Sequence, residues 1–355
     1  MSQTRKLKSA LAAAVLLTLS ATAATAAAGL VARVSVDKAW LEKSDDVTAT
    51  VVIRNRGTET AWVPRQHVPT AVLDANLFSV TRNGEPVTYL GRLAKRAAPG
   101  AGDYVELKPG ASIQGRTELS RHYDMADGGE YLVSFRMDLM NRVPVAESGG
   151  DELTSAAVAV WRNAPVLGKV VDWDALAAEA SGRESLAYTN CSSSQQSGVS
   201  SAFSGATTYS TGAKNYLNSK TYSTVGVRYT TWFGAKNSSR FNTVKSHFTS
   251  IENAFLTKAV VVDCACTDNY YAYVYPTQPY KIYVCNAFWS APNTGTDSRA
   301  GTLVHEMSHF NAVAATDDHR YGQAACKNLA TTTPKKAIDN ADSHEYFAEN
   351  TPAQN

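Results

Sequence analysis

Two histidines four positions apart constrain this chain more than any other feature of its 355 residues. His305-Glu306-Met307-Ser308-His309 reads H-E-x-x-H. On an α-helix, positions i and i+4 share a face, so both imidazoles can reach one Zn²⁺. The glutamate after the first histidine then sits beside the metal without binding it. There it can take a proton from the attacking water and later hand it to a leaving amine. Ala300, Leu303 and Val304 upstream support a helix over about 298–311, with Asp297 available as its N-cap.

A third ligand must come from elsewhere. A metzincin would carry glycine at 312 and histidine at 315, but this chain has Ala312 and Ala315, so that class is excluded. Two sources remain open on the residues alone. Glu345 or Glu349 could serve from a later helix, or a carboxylate of Thr316-Asp317-Asp318-His319-Arg320-Tyr321-Gly322 could serve from a nearer segment.

The N-terminus predicts export. Arg5, Lys6 and Lys8 precede an apolar run over 11–19, and Ala24-Thr25-Ala26 supplies an A-x-A cleavage pattern, giving a signal peptide over 1–26. The run is too short to span a bilayer comfortably. A net charge of +2 gives no electrostatic argument for a nucleic-acid partner. All five cysteines lie at or beyond Cys191. Export favours disulfides, and an odd count leaves one thiol over. Cys264-Ala265-Cys266 could instead suggest structural zinc, but a single intervening residue fits the usual spacing poorly.

The chain has two textures. From about 30 to 171, short alternating stretches predict strands with one buried face: Val47, Ala49, Val51 and Ile53, then Tyr131, Val133, Phe135, Met137 and Leu139. Asp127-Gly128-Gly129-Glu130-Tyr131 is a weak tyrosine-corner pattern. Residues 174–184 read as a linker. Helical segments are expected over 192–217, 322–330 and 334–349, with strands over 270–275 and 281–284. Pro334 suits the first turn of its helix.

His305-Glu306-x-x-His309 followed by Thr316-x-Asp318-x-x-Tyr321-Gly322 resembles the aspzincins, deuterolysin-like zinc peptidases whose third ligand is aspartate. Within them the peptidyl-Lys metalloendopeptidases match closely, through Tyr229-Thr230-Thr231-Trp232-Phe233-Gly234, Tyr273-Val274-Tyr275-Pro276, Gly301-Thr302-Leu303-Val304, Asn340-Ala341-Asp342, His344-Glu345-Tyr346-Phe347 and Pro352-Ala353-Gln354. The resemblance runs from about 187 to the C-terminus. It implies an α+β zincin-like catalytic domain over 187–355, mainly helical with a small β-sheet. Ahead of it, outside the resemblance, the strand pattern predicts an all-β, sandwich-like domain and linker over 27–186, expected as a propeptide, with a permanent substrate- or wall-binding domain as the alternative.

The resemblance assigns one Zn²⁺ per chain to His305, His309 and Asp318, with Glu306 as general base and Tyr321 as donor to the developing oxyanion. It places lysine selectivity on Asp342 and Glu345, whose i, i+3 spacing puts two carboxylates on one helix face. It also implies disulfides Cys191–Cys264 and Cys266–Cys285, leaving Cys326 alone, as a buried small hydrophobe or, in the alternative, a reactive thiol. Ala315 stands where the family usually has glycine, so a positive φ there would strain or rebuild the turn. Asp317 is an alternative ligand, and His319 is expected to be a wall residue.

The expected function is secreted, extracellular hydrolysis of protein or peptide substrates on the amino side of lysine. A monomer is expected, with no nucleic acid and, once mature, no membrane. A deuterolysin of broader specificity is the alternative within enzymes. A secreted binding protein with structural zinc is the alternative outside them, and Glu306 speaks against it. The N-terminal domain contains no cysteine to block zinc, so any blockade is expected to be steric or to use His67, His122 or a carboxylate. Residues 170–191 contain no lysine, so a Lys-directed enzyme should not free itself there, whereas Arg183 offers a site to a trypsin-like protease.

Overall fold

The computed structural model describes residues 29–42, 45–139, 152–163 and 186–355. The signal segment 1–26 and the 174–184 linker lie outside the described residues.

The alternating stretches of the N-terminal half fold as strands. β1 (Leu30–Val36), β3 (Thr48–Asn55) and β9 (Ser112–Glu118) form an antiparallel three-stranded sheet. A second sheet runs β2 (Trp40–Leu41), β12 (Val158–Arg162), β10 (Gly129–Asp138), β5 (Phe78–Arg82) and β6 (Glu85–Pro86), with β11 (Glu152–Thr154) also paired to β10. β4 (Ala61–Pro64) and β8 (Tyr104–Leu107) pair separately. Ala49, Val51 and Ile53 from one sheet share a core with Tyr131, Val133, Phe135 and Met137 from the other. Alternate residues point to opposite sides of a strand, which is why these and not their neighbours are buried. Tyr131 also donates its hydroxyl to the Asp127 carbonyl at 2.7 Å, the contact that a tyrosine corner makes.

The C-terminal half is mainly helical. α1 (Ser193–Asn218) starts at Ser192, whose hydroxyl accepts from Gln195 N while the Gln195 side chain returns the bond, a reciprocal capping box. α2 (Val227–Phe233) and α3 (Ser238–Thr257) follow. After three strands come α4 (Asn286–Ser290), α5 (Arg299–His309), α6 (Gln323–Thr332), α7 (Pro334–Ala337) and α8 (Ala341–Glu349). Val199, Ala202 and Ala206 of α1 pack with Leu303, Val304 and Met307 of α5, and with Phe248, Ile251 and Phe255 of α3. No helix among the described residues is long and apolar enough to cross a membrane.

The sheet of this half has the order β13 (Leu186–Thr189), β14 (Val260–Asp263), β16 (Lys281–Val284), β15 (Ala272–Val274) and β7 (Leu93–Lys95). Its last strand comes from the N-terminal half and pairs antiparallel with β15. Disulfides Cys191–Cys264 and Cys266–Cys285 close over this sheet, and Cys326 is a free, fully buried thiol.

Two expectations need correction. The N-cap of α5 is Ser298, whose Oγ accepts from Gly301 N at 2.9 Å, while Asp297 takes a positive φ and accepts from the Tyr346 hydroxyl. The helix expected over 334–349 is two helices, broken at Asn340 in extended backbone. Asn340 is extended because its side-chain oxygen is committed elsewhere, to the N–H groups of His319 at 2.9 Å and Arg320 at 2.8 Å.

Candidate active site

α5 places His305, Glu306 and His309 at its C-terminal end, all fully buried. α8 lies close against it because residue 301 is glycine. A Cβ there would stand 2.1 Å from Glu349 Oε1 and 3.0 Å from Glu345 Cγ. The close approach sets Asp342 and Glu345 against His305.

Beyond His309 the chain turns back through Ala315, at φ 51°. An alanine in the left-handed region costs roughly 1–3 kcal/mol, and the neighbouring bonds hold it there. Ala315 N and Thr316 N bond back to the Phe310 and Ser308 carbonyls, each at 3.1 Å. The return brings Asp318 over the two imidazoles. Asp317 points away, pairing with Arg136 at 2.9 Å, and His319 lies between Asp138 and Asp339.

Three donors converge on one point. His305 Nε2 and His309 Nε2 lie 3.1 Å apart, and Asp318 oxygens lie 3.2 and 3.4 Å from them. A tetrahedral ion with bonds of about 2.0 Å sets its donor atoms roughly 3.3 Å apart, so these three separations fit one zinc. Neutral rings whose protons sit on Nδ1 would face each other with two lone pairs, and His305 Nδ1 is turned to Asp342 Oδ1 at 2.8 Å. His309 Nδ1 sits 2.8 Å from the Thr316 carbonyl, which can only accept, so the proton is on Nδ1 and the facing Nε2 is a bare lone pair. Both Asp318 oxygens lack a hydrogen-bond partner, as do both Glu306 oxygens. Burial pushes the Glu306 carboxyl up to about 7, although the two imidazoles pull against the rise.

A second cluster adjoins the first. His305 Nδ1 lies 2.8 Å from Asp342 Oδ1, so this carboxylate backs the imidazole from behind. Between Asp342 and Glu345 sits the ammonium of Lys95, at 3.1 and 2.6 Å, with the lysine side chain 1% exposed. Burial alone would lower the Lys95 pKa, but the two carboxylates raise it well above the ordinary lysine range. Burial pushes Glu345 up, while Lys95 and His305 hold Asp342 below its usual value. Tyr321 is buried and donates to the Ala94 carbonyl at 2.9 Å.

The residue that covers this site is therefore a lysine. His67 is buried within the N-terminal half, and His122 faces the Ala71 carbonyl at 3.2 Å, so neither histidine fills the role expected of it. Lys95 itself carries no marker in the sequence, because nothing in Leu93-Ala94-Lys95 separates it from a surface strand. Asn340 and Gly301 lay inside matched motifs, yet their work in holding the aspartate turn and admitting α8 needs the fold to be seen.

Residues 216–349 match the model of the aspzincin family described as lysine-specific metallo-endopeptidase. An extracellular protease of Aeromonas hydrophila is 41% identical over 332 residues, covering 93% of this chain and 94% of that protein. The chain belongs to the aspzincin family. A peptidyl-Lys metalloendopeptidase of Grifola frondosa is 37% identical, covering 94% of this chain and 96% of its own length. The solved structure of a zinc peptidase from Grifola frondosa is 51% identical, with TM-score 0.45, covering 46% of this chain and all of that one.

Proposed function

We propose that this aspzincin is a secreted zinc endopeptidase that hydrolyses the bond on the amino side of lysine and is made as a precursor. Residues 1–26 are its signal peptide, 27–186 a sandwich-like propeptide and linker, and 187–355 the catalytic domain. The observation that carries the reading is a buried lysine ammonium between Asp342 and Glu345, directly behind a three-donor cluster spaced for zinc.

His305, His309 and Asp318 hold one zinc, which when bound polarises the scissile carbonyl and acidifies the attacking water. Glu306 takes the proton from that water and delivers it to the departing amine. The Tyr321 hydroxyl donates to the carbonyl oxygen as negative charge builds on it. Asp342 and Glu345 receive the substrate ammonium in a site from which water is excluded, and the compact, many-donor ammonium suits two converging carboxylates better than a planar guanidinium. The edge of β15 that β7 occupies would offer the same main-chain bonds to an extended substrate once β7 leaves it.

The test is digestion of an unrelated protein by the processed enzyme, with sequencing of every new N-terminus. Fragments starting uniformly with lysine are expected. Fragments starting equally with arginine, or with no preference, would refute the lysine pocket.

A further inference from the structure

Leu93-Ala94-Lys95 lies across the candidate site in the manner of a substrate. β7 pairs antiparallel with the edge strand β15, setting Lys95 opposite Ala272, Ala94 opposite Tyr273 and Leu93 opposite Val274. Tyr271 N donates to the Lys95 carbonyl at 3.0 Å. The Lys95 ammonium fills the Asp342–Glu345 pocket, with the Tyr271 ring 5.1 Å away. One residue earlier, the Ala94 carbonyl accepts from Tyr321. These are three independent coordinates: strand register, side-chain pocket and carbonyl donor. All three name the same bond, the one between Ala94 and Lys95.

The flanks hold that register. Arg92 pairs with Asp74 at 2.5 Å and with Asp268 at 3.4 Å, and Arg96 pairs with Asp74 at 3.0 Å. The Tyr270 hydroxyl donates to the same Asp74 at 2.7 Å. A segment fixed at both ends and threaded through the site excludes any other peptide while it stays. Its tether also gives it a high effective concentration at the catalytic groups.

We propose that Ala94–Lys95 is a tethered substrate, a bond in its own chain that the enzyme hydrolyses to begin its release. Water adds across the amide: the carbonyl carbon of Ala94 gains the hydroxyl, the C–N bond breaks, and the nitrogen of Lys95 leaves as an amine with the proton carried by Glu306. This rests on the lysine-directed reading above. It also changes the expectation about self-processing. The absence of lysine from 170–191 bears only on the linker, whereas the bond presented to the site lies some 75 residues upstream of it.

The full chain, purified under chelation and started by adding Zn²⁺, tests this by intact mass and N-terminal sequencing. A fragment beginning at Lys95 should form at a rate independent of protein concentration. Hydrolysis of a free Xaa-Lys peptide should rise in step with it. Glu306→Gln should yield no fragment. Lys95→Arg, which keeps the charge, should slow cleavage there by at least about 10-fold. Lys95→Gln should remove cleavage at that bond, and the uncut chain should hydrolyse the free peptide at least about 10-fold more slowly than the zinc-started parent. A chain that prefers Xaa-Lys over Xaa-Leu peptides yet leaves 94–95 whole overturns the tethered substrate alone. So does Lys95→Gln that stays whole at 94–95 yet gains activity on the free peptide as fast as the parent. Loss of the peptide preference itself overturns the lysine-directed reading, and the tethered substrate with it.

Discussion

Asp342 serves two partners at once, an imidazole and an ammonium, and replacing it with asparagine should reveal both duties. Its Oδ1 lies 2.8 Å from His305 Nδ1 and 3.1 Å from the Lys95 ammonium, while Oδ2 accepts from Gly322 N at 2.7 Å. Asparagine keeps the shape and an oxygen for Gly322 but removes the charge. Breaking one side of a buried ion pair costs about 3–5 kcal/mol. Glu345 stays in place, so the lower end applies, and about 3 kcal/mol is roughly 150-fold in kcat/KM for Xaa-Lys peptides. His305 also loses the carboxylate that orients it, a change that costs roughly 10–100-fold in metal affinity. Glu345→Gln is the contrast, because its oxygen lies 2.6 Å from Lys95 but 3.5 Å from His305. It should lose lysine preference with little change in zinc affinity. Chelator competition gives the zinc affinity, and paired Xaa-Lys and Xaa-Leu peptides at saturating zinc give the preference. Equal zinc losses in the two variants, or an unchanged peptide ratio in Asp342→Asn, would refute the double role.

Glu306→Gln should lower kcat by about 10²–10⁴-fold while elemental analysis still finds one zinc per chain, since the residue moves a proton and does not hold the ion; a metal-free variant would count against that assignment. His67 gives a pH prediction. Burial holds its imidazole down to about 4, and Nδ1 has no partner. The unfolded chain therefore binds a proton that the folded chain refuses. Stability is full above the unfolded value near 6.5 and falls by up to about 3 kcal/mol as pH drops towards 4. Urea unfolding of the full chain and of His67→Leu at pH 7 and pH 4 checks this, and parallel losses in both would exclude His67 as the cause.

The legible parts of this chain were those where one short pattern carries one physical demand. Alternating Val47, Ala49, Val51 and Ile53 required a half-buried strand, and all four are buried. The motif at 305–309 required a helix, and α5 supplies it. α3 was missed although Phe241, Val244, Phe248, Ile251 and Phe255 follow helical spacing, because serine, threonine and asparagine around them dilute the apolar stripe. β13 and β14 were missed because short apolar strands in a parallel ladder show no alternation. The break at Asn340 and the cover by Lys95 depend on partners 21 and 247 positions away, and no local pattern encodes such distances.

The turn over 315–322 shows which half of the chain holds the three proposed zinc donors in place. His309 is oriented by the Thr316 carbonyl, and the backbone around Asp318 hangs on Asn340 and on the Asp317–Asn340 bridge. Every one of those bonds lies within the C-terminal half. The N-terminal half reaches the same region chiefly by ion pairs, Arg136 with Asp317 and Asp138 with His319 and Lys336. The partly exposed Arg136–Asp317 pair contributes about 0–1 kcal/mol and weakens with salt, whereas Asp138 and His319 are buried against each other without touching the three donors. Departure of the N-terminal half can therefore leave the donor geometry standing. Lys95 is the exception. Withdrawing its ammonium strands two buried carboxylates, which favours replacement by another ammonium over simple emptying. On the function proposed above, a site first filled by the chain's own lysine would take the next one from a substrate.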